Sequence, residues 1–211
     1  MILFEDFNET YAAAFQGTGS SLDADLVRTT DTVVAKALCK ASLPLEHLSA
    51  SFIVEASHFF EPSPLTWTWT KLRSLVMTSR LLVPNGDWAA INHMLCAAAM
   101  AATRMPLLDT MQLWNGRKGI ACVFSYHASK DYWPARISWR SNWDLPLDPQ
   151  MCKAWELVAG MRASCGFLVN KELLDVDLAI SSHGDAVSCL GFLNQVLHPV
   201  SLWQIKAEIG D

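Results

Sequence analysis

Charge is scarce in this chain. Of its 211 residues, 18% are Asp, Glu, Lys or Arg, against roughly 25% in an average globular domain. The sixteen basic residues are scattered and the net charge is −5. Nucleic-acid binders gather Lys and Arg into a stripe or patch. None is visible here, so nucleic acid is not an expected partner. Long apolar runs are missing as well: the longest, Met94–Ala102, has nine residues, and a membrane span needs about 20. The start, Met1-Ile2-Leu3-Phe4-Glu5-Asp6-Phe7, has no basic lead and reaches acid at once, unlike a signal or transit peptide. Cys39, Cys96, Cys122, Cys152, Cys165 and Cys189 form no C-x-x-C pair, and most have apolar neighbours. That pattern fits reduced, buried thiols in a cytoplasmic protein.

Catalytic signatures are equally sparse. There is no G-x-S-x-G and no H-E-x-x-H, and Gly17-Thr18-Gly19 lacks the third glycine and the preceding strand of a phosphate cradle. His93 and Cys96 share a helical face, but no third or fourth ligand lies near them in sequence. Neither a metal nor an organic cofactor is therefore expected. Ser182-His183-Gly184-Asp185 holds the residue types of a catalytic triad. Neighbouring residues cannot align three side chains, and a helix capping box explains the string.

What is abundant is apolar side chain: 51% of residues are hydrophobic and nine are Trp, enough for a sizeable core. With no long linker, residues 1–211 read as one α/β domain, with 1–22 as an N-terminal arm. Asp31 caps an expected helix over 32–41. A pattern L-x-x-L-x-a-x-a then recurs at Leu45–Phe52, Leu72–Ser79 and Leu108–Asn115. This is the strand portion of a leucine-rich repeat, in which alternate residues enter the core. A helix from Asp87 to Thr103, apolar nearly all round, lies between the second and third copies and should be buried. Further on, Ile120–Tyr126 and Ala135–Trp139 read as a hairpin, and Pro149 opens a helix to about Met161. Cys165–Val169 reads as a strand, and Ser182 opens a last helix through about Val196. The expected fold is a short, irregular leucine-rich-repeat-like α/β domain: a curved, mostly parallel sheet with helices packed on one side.

In that geometry the intervening positions face the open side of the sheet. They are His47, Ser49 and Ser51; Ser74, Val76 and Thr78, followed by Arg80; and Thr110, Gln112 and Trp114. The later strands add Tyr126 or His127, and Arg140 or Trp139, because a one-residue slip exchanges the faces. A solvated sheet face is the plainer account of these residues. The functional one is a ligand surface. In it Arg80, Tyr126 and Arg140 are candidate donors or acid–base groups, and Thr78, Gln112, Trp114 and Trp139 bind substrate. Trp67, Trp69, Trp88 and Trp155 sit on or beside helices and are expected in the core. Trp114, Trp133, Trp139 and Trp143 fall at strand ends and loops, where a cavity or interface could form.

Several strings together resemble a known family. They include Leu3-Phe4-Glu5-Asp6-Phe7-Asn8-Glu9, Trp67-Thr68-Trp69, Thr78-Ser79-Arg80-Leu81-Leu82 and Leu113-Trp114-Asn115-Gly116. Ile137-Ser138-Trp139-Arg140, Ser182-His183-Gly184-Asp185 and Pro199–Ile205 complete the set. The chain resembles a large filamentous-fungal family related to F-box and leucine-rich-repeat proteins, and it starts without an F-box segment. The resemblance implies a fungal, repeat-derived domain lacking the docking surface for a ubiquitin-ligase scaffold. The leading functional expectation is a cofactor-independent enzyme or binding protein for a hydrophobic small molecule. Its chemistry would be cyclisation or isomerisation in fungal secondary metabolism, driven by positioning and hydrogen bonding. The other expectation is a protein–protein interaction module. A truncated repeat array also exposes an uncapped edge, which makes self-association a further expectation.

Overall fold

The computed structural model describes residues 1–4, 31–61, 64, 66–130, 133–162, 166–175 and 179–191. Most of the N-terminal arm, Cys165, Trp203 and the Pro199–Ile205 string lie outside these residues.

The fold is mixed α/β. Seven strands form one open sheet in chain order: β1 (Ile2–Phe4), β2 (His47–Ser51), β3 (Ser74–Thr78), β4 (Thr110–Arg117), β5 (Ile120–His127), β6 (Ala135–Ser141) and β7 (Phe167–Leu173). β1 to β4 are mutually parallel, β5 is antiparallel to both its neighbours, and β7 is parallel to β6. Parallel neighbours need a crossover. All four here carry a helix: α1 (Thr32–Ala41) between β1 and β2, then α2 (Ala56–Phe60), α3 (Trp88–Ala102) and α4 (Pro149–Gly160). α5 (His183–Leu190) follows β7.

The helix starts are written in the sequence. Asp31, Asp87 and Asp148 each accept a backbone N–H of the first turn, as N-caps do. Ser182 Oγ accepts from the Asp185 N–H at 3.2 Å, and the Asp185 carboxylate accepts from the Ser181 N–H at 3.0 Å. The Ser182 half of the expected capping box is thus formed, while Asp185 reaches one residue further back, to Ser181. α5 stops at Leu190, short of the expected Val196, because Gly191 adopts a left-handed conformation (φ 79°) that ends a helix without steric penalty. The last strand starts two residues later than expected and runs to Leu173, since β6 extends to Ser141 and pairs with it throughout. β1 was expected as part of an arm. Its three residues instead pair with Ser49–Ser51.

The repeat positions do the same work in each copy. Leu48 and Ala50, Leu75 and Met77, and Met111 and Leu113 all point into the main core, under α1 to α4. Cys122, Phe124, Tyr126, Ile137 and Trp139 continue that core across β5 and β6. Helices do not keep to one side, however. α5 lies on the second face, where Ala186, Val187 and Leu190 pack on Val76, Trp114, Ala121 and Val123. The Trp partition also differs from expectation. Trp114 and Trp139 are fully buried, whereas Trp88, at the first turn of α3, is 49% exposed.

Candidate functional site

Register across the sheet sorts the second face into three rows. The first is His47, Ser74, Thr110, His127, Arg136 and Leu168; the second is Ser49, Val76, Gln112, Ser125, Ser138 and Asn170; the third is Thr78, Trp114, Val123, Arg140 and Glu172. The first row is exposed or half-buried. The third lies largely under α5. The second row is the border between them, and it carries no charged side chain.

α5 can approach this closely because residue 116 is glycine. A Cβ there would sit 2.6 Å from the Ala186 Cβ and 2.8 Å from the Trp114 ring. Beside it, Phe52 holds a φ of 65°, a left-handed conformation that costs a residue with a side chain about 1–3 kcal/mol. Its N–H donates to Thr78 Oγ1 at 2.7 Å. Its ring stands edge-on to Trp114 (5.1 Å) and Phe4 (5.7 Å) and near His183 (6.1 Å). The strained turn thus aims an aromatic side chain at the end of α5.

The middle of the face has an unusual polar economy. Ser49, Ser51 and Gln112 are at least nine-tenths buried, yet Ser49 Oγ, Ser51 Oγ and Gln112 Oε1 have no hydrogen-bond partner. His127 Nδ1, in the adjacent row, is likewise unpartnered. Burial first, and then the neighbouring Arg136 guanidinium, hold the His127 pKa below the ordinary imidazole value. His127 is therefore neutral at pH 7 and retains one acceptor nitrogen. Most buried polar atoms in native proteins are paired, and leaving one unpaired costs about 1–3 kcal/mol. Four such atoms on one face are a set of unused donors and acceptors.

The candidate residues divide. Thr78, Gln112, Trp114 and Arg140 share the second face. Thr78 is engaged with Phe52, and Trp114 is packed beneath α5, so it is not an open stacking wall. Arg140 Nε pairs with Glu172 at 3.3 Å, and its guanidinium also reaches the Leu190 carbonyl at 3.5 Å. Arg80 lies past the end of β3, where its N–H donates to buried Glu55 at 2.8 Å and its Nε stands 3.8 Å from the same carboxylate. Ser79 Oγ donates to the other Glu55 oxygen. Tyr126 and Trp139 are on the opposite face, inside the main core. Tyr126 stacks 5.0 Å from Trp155, and Trp139 stands edge-on to Trp143 at 4.9 Å. They cannot act together with Gln112. Parity is the reason: β5 and β6 turn His127 and Arg140, not Tyr126 and Trp139, toward the second face.

Sequence reasoning missed Glu55 and Phe52. The only signal for Glu55 was a carboxylate set between Ile53-Val54 and Ala56. His93, on the helix expected to be buried, has a side chain 73% exposed beside Glu61. Among the described residues, no group of three or more His, Cys, Asp or Glu could hold a metal ion. None of their helices is long and apolar enough to cross a membrane.

The five described thiols are poor nucleophiles. Burial pushes Cys39 and Cys122 up to about 12, and it also raises Cys96, Cys152 and Cys189. A thiol with a raised folded-state pKa stabilises the fold below its unfolded pKa and loses that contribution as pH climbs toward the folded value. Stability should therefore fall between about pH 9 and 12, by about 1 kcal/mol at pH 10 for each of Cys39 and Cys122. Urea unfolding at pH 7 and pH 10 measures this. Cys122→Ala should flatten the fall, and an unchanged slope would show that Cys122 ionises freely.

The model of a family of unknown function (DUF6546) matches residues 1–198. The chain belongs to that family. The match spans all seven strands and the five helices described above, so the second face and its α5 cover are features of the DUF6546 region itself. No curated protein and no solved structure matches the chain.

Proposed function

We propose that this chain binds a largely apolar small molecule carrying neutral hydrogen-bonding groups, held on the second face of the sheet. One observation carries the reading: the buried, unpartnered oxygens of Ser49, Ser51 and Gln112 in a stretch with no charged side chain. A neutral ligand would pair them and rest its apolar part beside Val76 and Phe52. An anion or cation would find no counter-charge in that row. Cyclisation or isomerisation without a cofactor is the reaction class such a site supports, since a shaped surface with fixed donors acts by positioning. Arg140 is the candidate hydrogen-bond donor on this face. Arg80 and Tyr126 stand apart from it.

Kinship with fungal F-box and leucine-rich-repeat proteins is part of the same proposal. It is supported by the chain-order parallel strands β1 to β4 and by the repeated burial of equivalent positions in β2, β3 and β4. A protein-interaction role has its own support on the other side of the molecule. There Leu157 and Met161, 70% and 65% exposed, line an open groove of about 510 Å³ with Lys153, Glu156 and Gly160.

Amide-resolved NMR with a fragment set of neutral aromatic alcohols and amides, and benzoates as anionic controls, separates these readings. Shifts concentrated at Ser49, Val76, Gln112 and Ser125 with the neutral fragments are expected. Shifts confined to 153–161, or equal responses to benzoates, would refute the small-molecule site.

A further inference from the structure

β7 ends the sheet among the described residues, and its outer edge is open. All seven of its residues pair in unbroken parallel register with β6, from Ala135 with Phe167 to Ser141 with Leu173. Only one side of its backbone is used by that pairing. Every side chain of β7 except Phe167 is exposed, including Leu168 (48%), Val169 (46%) and Leu173 (60%). Native sheet edges of this kind are normally blunted by proline, a bulge or free charges, because an unguarded edge pairs with another strand. β7 has no proline, and its register contains no bulge. Its two charges are already paired within the chain: Lys171 Nζ lies 2.6 Å from Asp144, in the loop after β6, and Glu172 lies 3.3 Å from Arg140 Nε. The usual guards are already neutralised.

We propose that a second copy of this chain occupies the edge, its β7 adding antiparallel to make one continuous sheet across a twofold axis. Such an axis stands perpendicular to the sheet, so facing residues share parity and the residue on the axis meets itself. Centring on Lys171 or Glu172 would set like charges face to face, which is destabilising. Asn170 is the centre that pairs all seven residues. It places a neutral amide on the axis, Phe167 opposite the second copy's Leu173, and Val169 opposite the methylenes of its Lys171. That register pairs the whole strand with no like charges face to face, which favours a second copy over an unrelated strand.

Sedimentation velocity of the full chain at about 100 µM, where a micromolar association is nearly saturated, should report a dimer. Val169→Lys, which sets two lysines opposite each other, should give a monomer with an unchanged far-ultraviolet spectrum. Asn170→Cys tests the register without disturbing the edge. Facing Cα atoms in an antiparallel pair lie about 4.5–5.5 Å apart, within disulfide reach. Under mild oxidation it should therefore run as a covalent dimer on a non-reducing gel, while wild type and Leu168→Cys do not. A monomer at that concentration overturns the proposal. So does a dimer that survives Val169→Lys, or one that Asn170→Cys fails to cross-link.

Discussion

Trp114→Ala should lower stability by about 3–5 kcal/mol, the usual range for deleting a fully buried Trp. The loss should centre on α5. Trp114 is completely buried, with the Phe52 ring edge-on at 5.1 Å and Ala186 and Val187 in the same apolar cluster. Removing the indole takes away the surface on which α5 rests, so amide exchange at 183–190 should accelerate along with the drop in urea midpoint. Gly116→Val should act on the same element from the other direction, by forcing a side chain into the 2.6 Å gap at Ala186. Trp133→Ala is the control. That indole is 75% exposed, so its loss should change stability by no more than about 0.5 kcal/mol. Equal effects for Trp114 and Trp133 would mean that α5 does not sit on the second face.

Glu55→Ala should cost about 3 kcal/mol. The carboxylate is buried and accepts from the Ser79 hydroxyl and the Arg80 N–H; hydrogen bonds to a charged group contribute about 1.5–3 kcal/mol each. The Arg80 guanidinium adds little, since its side chain is 41% exposed and water screens the pair. Glu55→Gln preserves shape and one acceptor, so it should cost less than half as much. Arg80→Ala should be nearly silent in the same denaturant titration. If Arg80→Ala matched Glu55→Ala, the ion pair and not the buried hydrogen bonds would be what holds the turn after β3.

Much of this fold was legible in the sequence because its signals are local. Asp31, Asp87, Asp148 and the Ser182 string mark four helix starts by chemistry that acts within one turn. The L-x-x-L strings locate β2, β3 and β4, because a buried face repeats every second residue. What could not be read depends on distant partners. β1 has three residues, too few for a periodic signal, and exists because Ser49–Ser51 offer it an edge. The faces of β5 were ambiguous because both are apolar: Ala121 and Val123 on one, Cys122, Phe124 and Tyr126 on the other. A strand covered on both sides loses its alternation. Trp114 did carry a clue. An indole in line with Thr110 and Gln112 on a supposedly open face marks the place where something covers it. The Ser182 string located α5, but not the face of the sheet that receives it.

The site itself was half legible. Ser49, Gln112 and their neighbours were placed on the correct face by alternation alone. Their burial without partners is a tertiary fact, and it turns a solvated strip into a candidate binding surface. Such atoms trade stability for function, since an apolar replacement in the free protein removes an unmet desolvation cost. The most direct measurement is therefore the thermal midpoint of the double variant Ser49→Ala/Gln112→Leu, taken with its response to the neutral fragments. A gain of about 1 kcal/mol, or about 2–4 °C for a chain of this size, together with loss of the fragment response, is the expected result. A fall in the midpoint with fragment binding retained would contradict it, because those oxygens would then be holding the fold and not waiting for a ligand.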